Sequence, residues 1–395
     1  MVGKGGRESQ TGAAIGRQSK YNPAMLKRLY IDNFRCFVNF EYKPERKQLL
    51  LGANGSGKSS LLDAIEAVKA FVGARGSVFE SSEQRTFQAS KTRWLNLPSQ
   101  IFEIEAEIGG AQYLYRLEND VSHPSPFSSV IAETLKVDGA PVVEVVKGEA
   151  TLYTLAGPSS ARFGVGNNAS SLAVLTTNRK EIRTFVEWLV KKVFCLRVNP
   201  FSMSSLGELD DKTHPRSDLS DIASWYLQLA GSDVEAIIKL RDSLKEVLSG
   251  FAALQFPGQQ GGAAELRGTF SSQGKEMSLA LNELSEGQRC LTALYMVLHF
   301  VVAKGQTVFL DEPDNFVSLR EIQPWLLAAE QAVEDSGGQL ILISHHPEIL
   351  NYWAKEFGLL FFREENGHAR TKPYSSVPDT GLEPAETIAR GWEDE

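Results

Sequence analysis

Lys47-Gln48-Leu49-Leu50-Leu51-Gly52-Ala53-Asn54-Gly55-Ser56-Gly57-Lys58-Ser59-Ser60 is the stretch that decides the fold. A short apolar run meets the pattern G-x-x-x-x-G-K-[ST] at Gly52–Ser59, and a helical pattern follows at once. Leu61, Leu62, Ile65, Val68 and Phe71 recur on one face, and Gly73 supplies the stop. A Gly-rich turn before a helix would carry no such flanks. Glycines let the backbone curl so that successive N–H groups and the helix N-terminus face phosphate oxygens. Lys58 then reaches the terminal phosphates, and the Ser59 hydroxyl reaches Mg²⁺.

Further along, Thr307-Val308-Phe309-Leu310-Asp311-Glu312 runs an apolar strand into two carboxylates. Asp311 would hold the metal, and Glu312, one residue on, would take a proton from the attacking water. Leu284-Ser285-Glu286-Gly287-Gln288-Arg289 precedes a buried helical run, Cys290–Ala303, and places Ser and Gly at its N-terminus. Such an end serves either as an ordinary N-cap or as an anion site. Leu340-Ile341-Leu342-Ile343-Ser344-His345-His346-Pro347 is another apolar strand, tipped by two histidines. Adjacent strand residues point to opposite faces, which disfavours a shared metal; His345 is the candidate phosphate sensor and His346 reads as structural.

Outward from these motifs, Leu26–Phe34 is strand-like, and Ile101–Ile108, Tyr113–Leu117 and Ile131–Val137 form an antiparallel meander. Gly109-Gly110 and Asp138-Gly139 make its turns. Glu181–Val193 and Asp233–Phe251 have helical spacing around a short strand, Val193–Val198, and Glu265–Phe270 with Glu276–Leu281 reads as a hairpin. The spacing predicts four segments: a disordered arm at 1–24, a head lobe at 25–159, a mainly helical insertion at 160–263, and a second head lobe at 264–395. The fold class is α/β.

The chain has 395 residues, 42% hydrophobic and 23% charged, which excludes wholesale disorder. Its net charge of −8 argues against coating nucleic acid by bulk charge. No apolar run is long enough to span a membrane, and the start has no signal-peptide core. Cys36, Cys195 and Cys290 lie far apart, without paired spacing, so a reducing, cytoplasmic setting is expected.

Taken in order, these segments resemble an ABC-type ATPase head of the RecF/SMC/Rad50/OLD group, from residue 25 to the end. Gly52–Ser60 matches the Walker A motif, Leu284–Arg289 the signature loop, Leu310–Pro313 the Walker B motif and Ile343–Pro347 the switch-histidine loop. Asn33-Phe34-Arg35-Cys36-Phe37 resembles the element that opens such heads; Arg35 is either a nucleotide neighbour or a solvated strand-end charge. The resemblance implies ATP and Mg²⁺ as ligands. ATP would be held by Gly52, Asn54, Gly55, Ser56, Gly57, Lys58, Ser59, Ser60 and Arg35 of one subunit and by Ser285, Gly287 and Gln288 of another. Ser59 and Asp311 would hold the metal, with Glu312, His345 and Lys58 catalytic.

The pattern is most similar to stand-alone AAA family ATPases of bacterial genomic islands, some of them anti-phage components, which share a C-terminal docking helix here read at Gly381–Trp392. That similarity implies a homodimer or higher oligomer that controls a separately encoded effector, a Toprim-like nuclease being one such. A RecF-like DNA repair ATPase is the alternative, and a transporter subunit a weaker third. Glu286 stands where many relatives have Gly, and the usual D-loop Asp is either replaced by Ser318 or displaced. The Q-loop glutamine is Gln88 or Gln100.

Overall fold

The computed structural model describes residues 24–73, 85–122, 129–154, 160–166, 169–175, 179–208, 214–257, 263–375 and 382–390. The arm read at 1–24 lies, except for Ala24, outside the described residues, as do both ends of the tail read at Gly381–Trp392. Within that tail a short helix, Pro384–Ala389, docks on the helix Pro347–Phe357, where Asn351 Oδ1 accepts from the Ala385 N–H at 2.9 Å.

Two sheets carry the molecule. Six strands form the first, in the order Val193–Arg197, Thr307–Asp311, Gln339–Ile343, Lys47–Leu51, Gly358–Arg363, Ala369–Pro373; all but the last are parallel. Parallel strands buried on both faces require near-continuous apolar runs, which these are. Leu50, Phe309, Ile341 and Ile343 face one core with Leu61, Leu62, Ile65 and Val68 of the helix Lys58–Gly73. Leu49, Leu51, Val308, Leu310, Leu340 and Leu342 face the other core, under the helices Glu286–Phe300, Leu319–Ser336 and Pro347–Phe357.

The second sheet has eight antiparallel strands and extends the expected meander. Beyond Ser99–Ile108, Ala111–Asp120 and Ser129–Val137 come Ala140–Val146, Glu149–Tyr153 and Ser160–Gly164, with Met25–Asp32 and Phe40–Tyr42 at the other edge. Asp138-Gly139 takes positive φ at both residues, the conformation a two-residue hairpin demands. Phe102, Ile104 and Ala106 point inward, while Glu103 and Glu105 point outward to Arg28 and Arg116. Gln339 joins the two sheets: its side chain bonds the Leu26 N–H and C=O, each at 3.1 Å, and the Glu45 carbonyl at 2.9 Å.

Residues 160–263, expected as a mainly helical insertion, hold the helices Lys180–Lys192, Ile222–Ala230 and Val234–Val247. They also hold Val193–Arg197, the edge strand of the parallel sheet, in register with Thr307–Asp311. Phe251–Gln255 pairs with Arg267–Ser272, which in turn forms the expected hairpin with Lys275–Ala280.

One histidine in this part sets an acid limit. His299, on the helix Glu286–Phe300, bonds Ser243 Oγ at 2.9 Å. Burial, with Lys239 and Lys304 adding repulsion, pulls it down to about 4. Below the ordinary histidine range the unfolded chain takes up a proton that the folded chain refuses. Stability is therefore intact above pH about 6.5 and falls as pH drops toward 4, by up to about 3 kcal/mol. His299→Gln is expected to flatten that part of the stability–pH curve, measured by urea unfolding between pH 4 and 7; an unchanged slope would remove His299 as its cause.

Candidate functional site

The phosphate loop lies at the C-terminal end of Lys47–Leu51. Gly52, Gly55 and Gly57 take φ of +127°, +80° and +124°, a region that disfavours side chains. Lys58 is buried at the start of the helix, and its Nζ bonds the loop's own carbonyls, Gly52 O and, at 3.2 Å, Ala53 O. Burial lowers the Lys58 pKa, and Asp311 and Glu312 push back upward. Ser56 Oγ is buried without a hydrogen-bond partner.

The strand Thr307–Asp311 ends next to that loop. Asp311 sits between Arg197 on the edge strand and Ile343 on the other side. Glu312 leaves the strand at φ +48°, with its N–H on the Ile343 carbonyl at 2.8 Å and one carboxylate oxygen accepting from Asn315 Nδ2 at 2.7 Å. His345 is lowered by burial and by Lys58, against the pull of Glu312 and Asp311. Lys58, Asp311, Glu312 and His345 thus lie within electrostatic reach of one another. His346 instead caps the next helix, its Nδ1 accepting from the Glu348 N–H at 3.3 Å.

Two residues that sequence reading missed complete this cluster. Arg197 Nε donates to Asp311 Oδ2 at 3.1 Å, and its Nη2 reaches Asp63 Oδ1 at 2.7 Å and the Ser59 carbonyl at 3.2 Å. Burial alone would lower its pKa; Asp63 and Asp311 hold it above the ordinary value. Asp63, one turn into the helix, also pairs with Arg35. Arg35 is thrown over that helix by the tight Phe34–Phe37 turn, where its own φ is +51°. It is exposed but paired.

Asp314 is buried behind Glu312 and near Ser344 and His346. Burial raises its carboxyl, against Ser344 and His346. Its Oδ1 has no partner.

Ser285, Gly287 and Gln288 lie at the start of the helix Glu286–Phe300, where Ser285 and Gln288 bond each other and not the phosphate loop. Ser285 Oγ accepts from the Gln288 N–H at 3.3 Å and Gln288 Oε1 from the Ser285 N–H at 3.0 Å, a reciprocal cap on an otherwise buried helix. A Cβ on Gly287 would come within 3.0 Å of the Phe316 carbonyl, in the loop that follows Glu312. That loop ends at Ser318, which caps the helix Leu319–Ser336 through Glu321. The D-loop position therefore serves as a helix cap. Gln100 is fully buried and donates to the Asn33 and Phe87 carbonyls at 2.8 and 3.0 Å, while Gln88 Nε2 contacts the Val121 carbonyl at 3.5 Å. Those bonds belong to the core beside the meander.

The residues fit a magnesium-bound triphosphate: an orphaned hydroxyl at Ser56, an ammonium resting on loop carbonyls, and a loop curled through three glycines at positive φ. Ser59 and Asp311 offer the hard oxygen donors that Mg²⁺ takes. Among the described residues no cluster of three or more His, Cys, Asp or Glu forms a separate metal site.

The fold is that of an ABC-type ATPase head of the RecF/SMC/Rad50 kind. The chain belongs to the AAA domain family described as a putative AbiEii toxin of a type IV toxin–antitoxin system, which matches residues 49–351. A solved SMC head bound to the C-terminal winged-helix domain of ScpA superposes at a TM-score of 0.53, with 14% identity over 90% of this chain and 99% of that one. The SMC head domain from Thermotoga maritima gives 0.47, with 14% identity over 89% and 99%. No curated protein matches the chain. No helix among the described residues is long and apolar enough to cross a membrane.

Arg197 bonds both Asp311 and the backbone carbonyl of Ser59, the two candidate metal-holding residues, and so is a candidate positioning residue. Supports of this kind are worth about 10–100-fold in metal affinity or activity. Arg197→Ala is expected to shift the Mg²⁺ requirement of ATP hydrolysis upward by about tenfold or more. An unchanged Mg²⁺ titration would deny it that role.

Proposed function

We propose that the chain is a cytoplasmic ATPase that dimerises through sandwiched ATP and acts as the sensor or regulatory subunit of a bacterial defence system. One observation carries the reading. Lys58, Asp311, Glu312 and His345 converge at the C-terminal ends of the parallel strands, whereas Ser285 and Gly287 sit on an exposed helix start whose bonds lie away from the phosphate loop. On this reading a single copy supplies half of a pocket.

In this reading the Gly52–Ser60 loop and Lys58 hold the phosphate chain, and Ser59 and Asp311 hold Mg²⁺, which supplies charge stabilisation. Glu312 takes a proton from water on its free carboxylate oxygen, while Asn315 keeps the side chain aimed. His345, depressed by burial and by Lys58, is neutral near pH 7, so it offers both a donor and an acceptor nitrogen. Ser285 and Gly287 present N–H groups and a helix N-terminus to the partner's nucleotide. Binding energy present with ATP and absent after hydrolysis makes the dimer a switch.

The family description supports a toxin–antitoxin or defence setting, and a separately encoded effector supplies the output. Arg28 and Arg116, two outward cations of the eight-stranded sheet, are paired with Glu41, Glu103, Glu105 and Glu118. Affinity capture of the chain from its native host, with and without ATP, is expected to retain a neighbour-encoded protein in a nucleotide-dependent way. ATP hydrolysis stimulated by duplex DNA in a salt-sensitive manner, with no protein partner captured, would overturn the regulatory reading.

A further inference from the structure

An exposed tryptophan lies beside the phosphate loop, and the roles assigned above leave it unused. Trp94 is 48% exposed, and a bare indole face is an uncommon feature of a surface. The segment on either side of it is held by Asn33: the Thr92 N–H donates to Asn33 Oδ1 at 3.1 Å, and Asn33 Nδ2 donates to the Leu97 and Ser99 carbonyls at 3.3 and 2.8 Å. One edge of the ring lies against Gly367, where a Cβ would come within 3.5 Å. The Arg363 guanidinium lies 5.9 Å from the ring centroid. That same Arg363 donates from Nε to the Gly55 carbonyl at 2.9 Å. A fixed aromatic face and a planar cation are therefore anchored to the phosphate loop itself.

We propose that Trp94 and Arg363 form the base platform of the nucleotide site, on which the purine ring of ATP stacks. The inference rests on reading Gly52–Ser60 as the triphosphate cradle and adds the residues that recognise the base. Stacking on an indole needs a flat π-face, and the guanidinium beside it offers donors to ring nitrogens and a cation for the π cloud. Arg363 couples the two halves of the site, because the guanidinium that neighbours the indole also bonds the loop at Gly55. Trp94 is then the residue that distinguishes a nucleotide from a bare phosphate chain.

Calorimetric titration with Mg-ATP and with Mg-tripolyphosphate separates the two layers of the reading. The wild-type chain is expected to prefer ATP. Trp94→Ala is expected to lose about tenfold to a hundredfold in ATP affinity, with tripolyphosphate affinity unchanged, and Trp94→Phe is expected to recover most of the loss. Lys58→Ala is expected to lose both ligands. Thermal melts of the Trp94 variants should match the wild type, since the ring is exposed. Equal ATP affinity in Trp94→Ala and wild type, parallel loss of both ligands in Trp94→Ala, or a wild-type chain with no preference for ATP would each overturn the platform. Retention of both ligands by Lys58→Ala would instead overturn the phosphate-loop reading beneath it. Loss of single-stranded oligonucleotide binding in Trp94→Ala, with ATP affinity intact, would reassign the face to nucleic acid.

Discussion

Glu312→Gln is expected to lower ATP hydrolysis by about a thousandfold while leaving ATP affinity within a few-fold of the wild type. The substitution keeps size and shape, and the new amide oxygen still accepts from Asn315 Nδ2, which lies 2.7 Å from Glu312 Oε2. The positive φ at Glu312 and its N–H bond to Ile343 belong to the backbone and stay. Only the capacity to take a proton is removed. Single-turnover hydrolysis of bound ATP measures this directly. A rate close to wild type would move the base elsewhere, the nearest other carboxylate in the loop being the buried Asp314.

Gly52→Ala has the largest structural effect. At φ +127°, a Cβ would lie 2.1 Å from the Phe361 carbonyl, on the strand Gly358–Arg363 that flanks Lys47–Leu51. That oxygen is backbone in the middle of the sheet and has no rotamer to yield. Either the loop moves off the strand end or two strands part. Strain plus overpacking should cost at least about 3 kcal/mol. The expected outcome is a clear drop in the urea midpoint and ATP binding below detection. A Gly52→Ala protein with wild-type stability and affinity would mean that this loop conformation is not the one the protein uses. Gly55 is a useful contrast: its Cβ would meet nothing within 4 Å, so Gly55→Ala carries φ strain alone.

What could be read from the sequence follows from burial. The central strands lie between two cores, so Val308–Leu310, Leu340–Ile343 and Leu49–Leu51, the run that leads into the phosphate loop, had to be unbroken apolar runs. The edge strand Val193–Arg197 was equally legible as a strand, but its membership in the parallel sheet was not. A strand declares its pairing only through register, and the 160–263 stretch around it has helical periodicity. Arg197 was missed for the same reason: a lone arginine after an apolar run has no motif until Thr307–Asp311 brings Asp311 beside it. The strand Glu149–Tyr153 of the meander was hidden by its turn. Lys147-Gly148 adopts the same positive φ pair as Asp138-Gly139, yet lysine is not a residue that announces a turn. Arg363 and Trp94 are far apart in the chain and meet only because Gly358–Arg363 pairs with the strand that carries the phosphate loop.

In the proposed function two copies of this chain clasp ATP between them, and sizing tests this most directly. Sedimentation of the Glu312→Gln protein in Mg-ATP should show a dimer that dissociates in ADP. The dimer should also be absent when Lys58→Ala or Ser285→Arg is added. A Glu312→Gln protein that binds ATP yet stays monomeric, or a dimer indifferent to Ser285→Arg, would contradict the account.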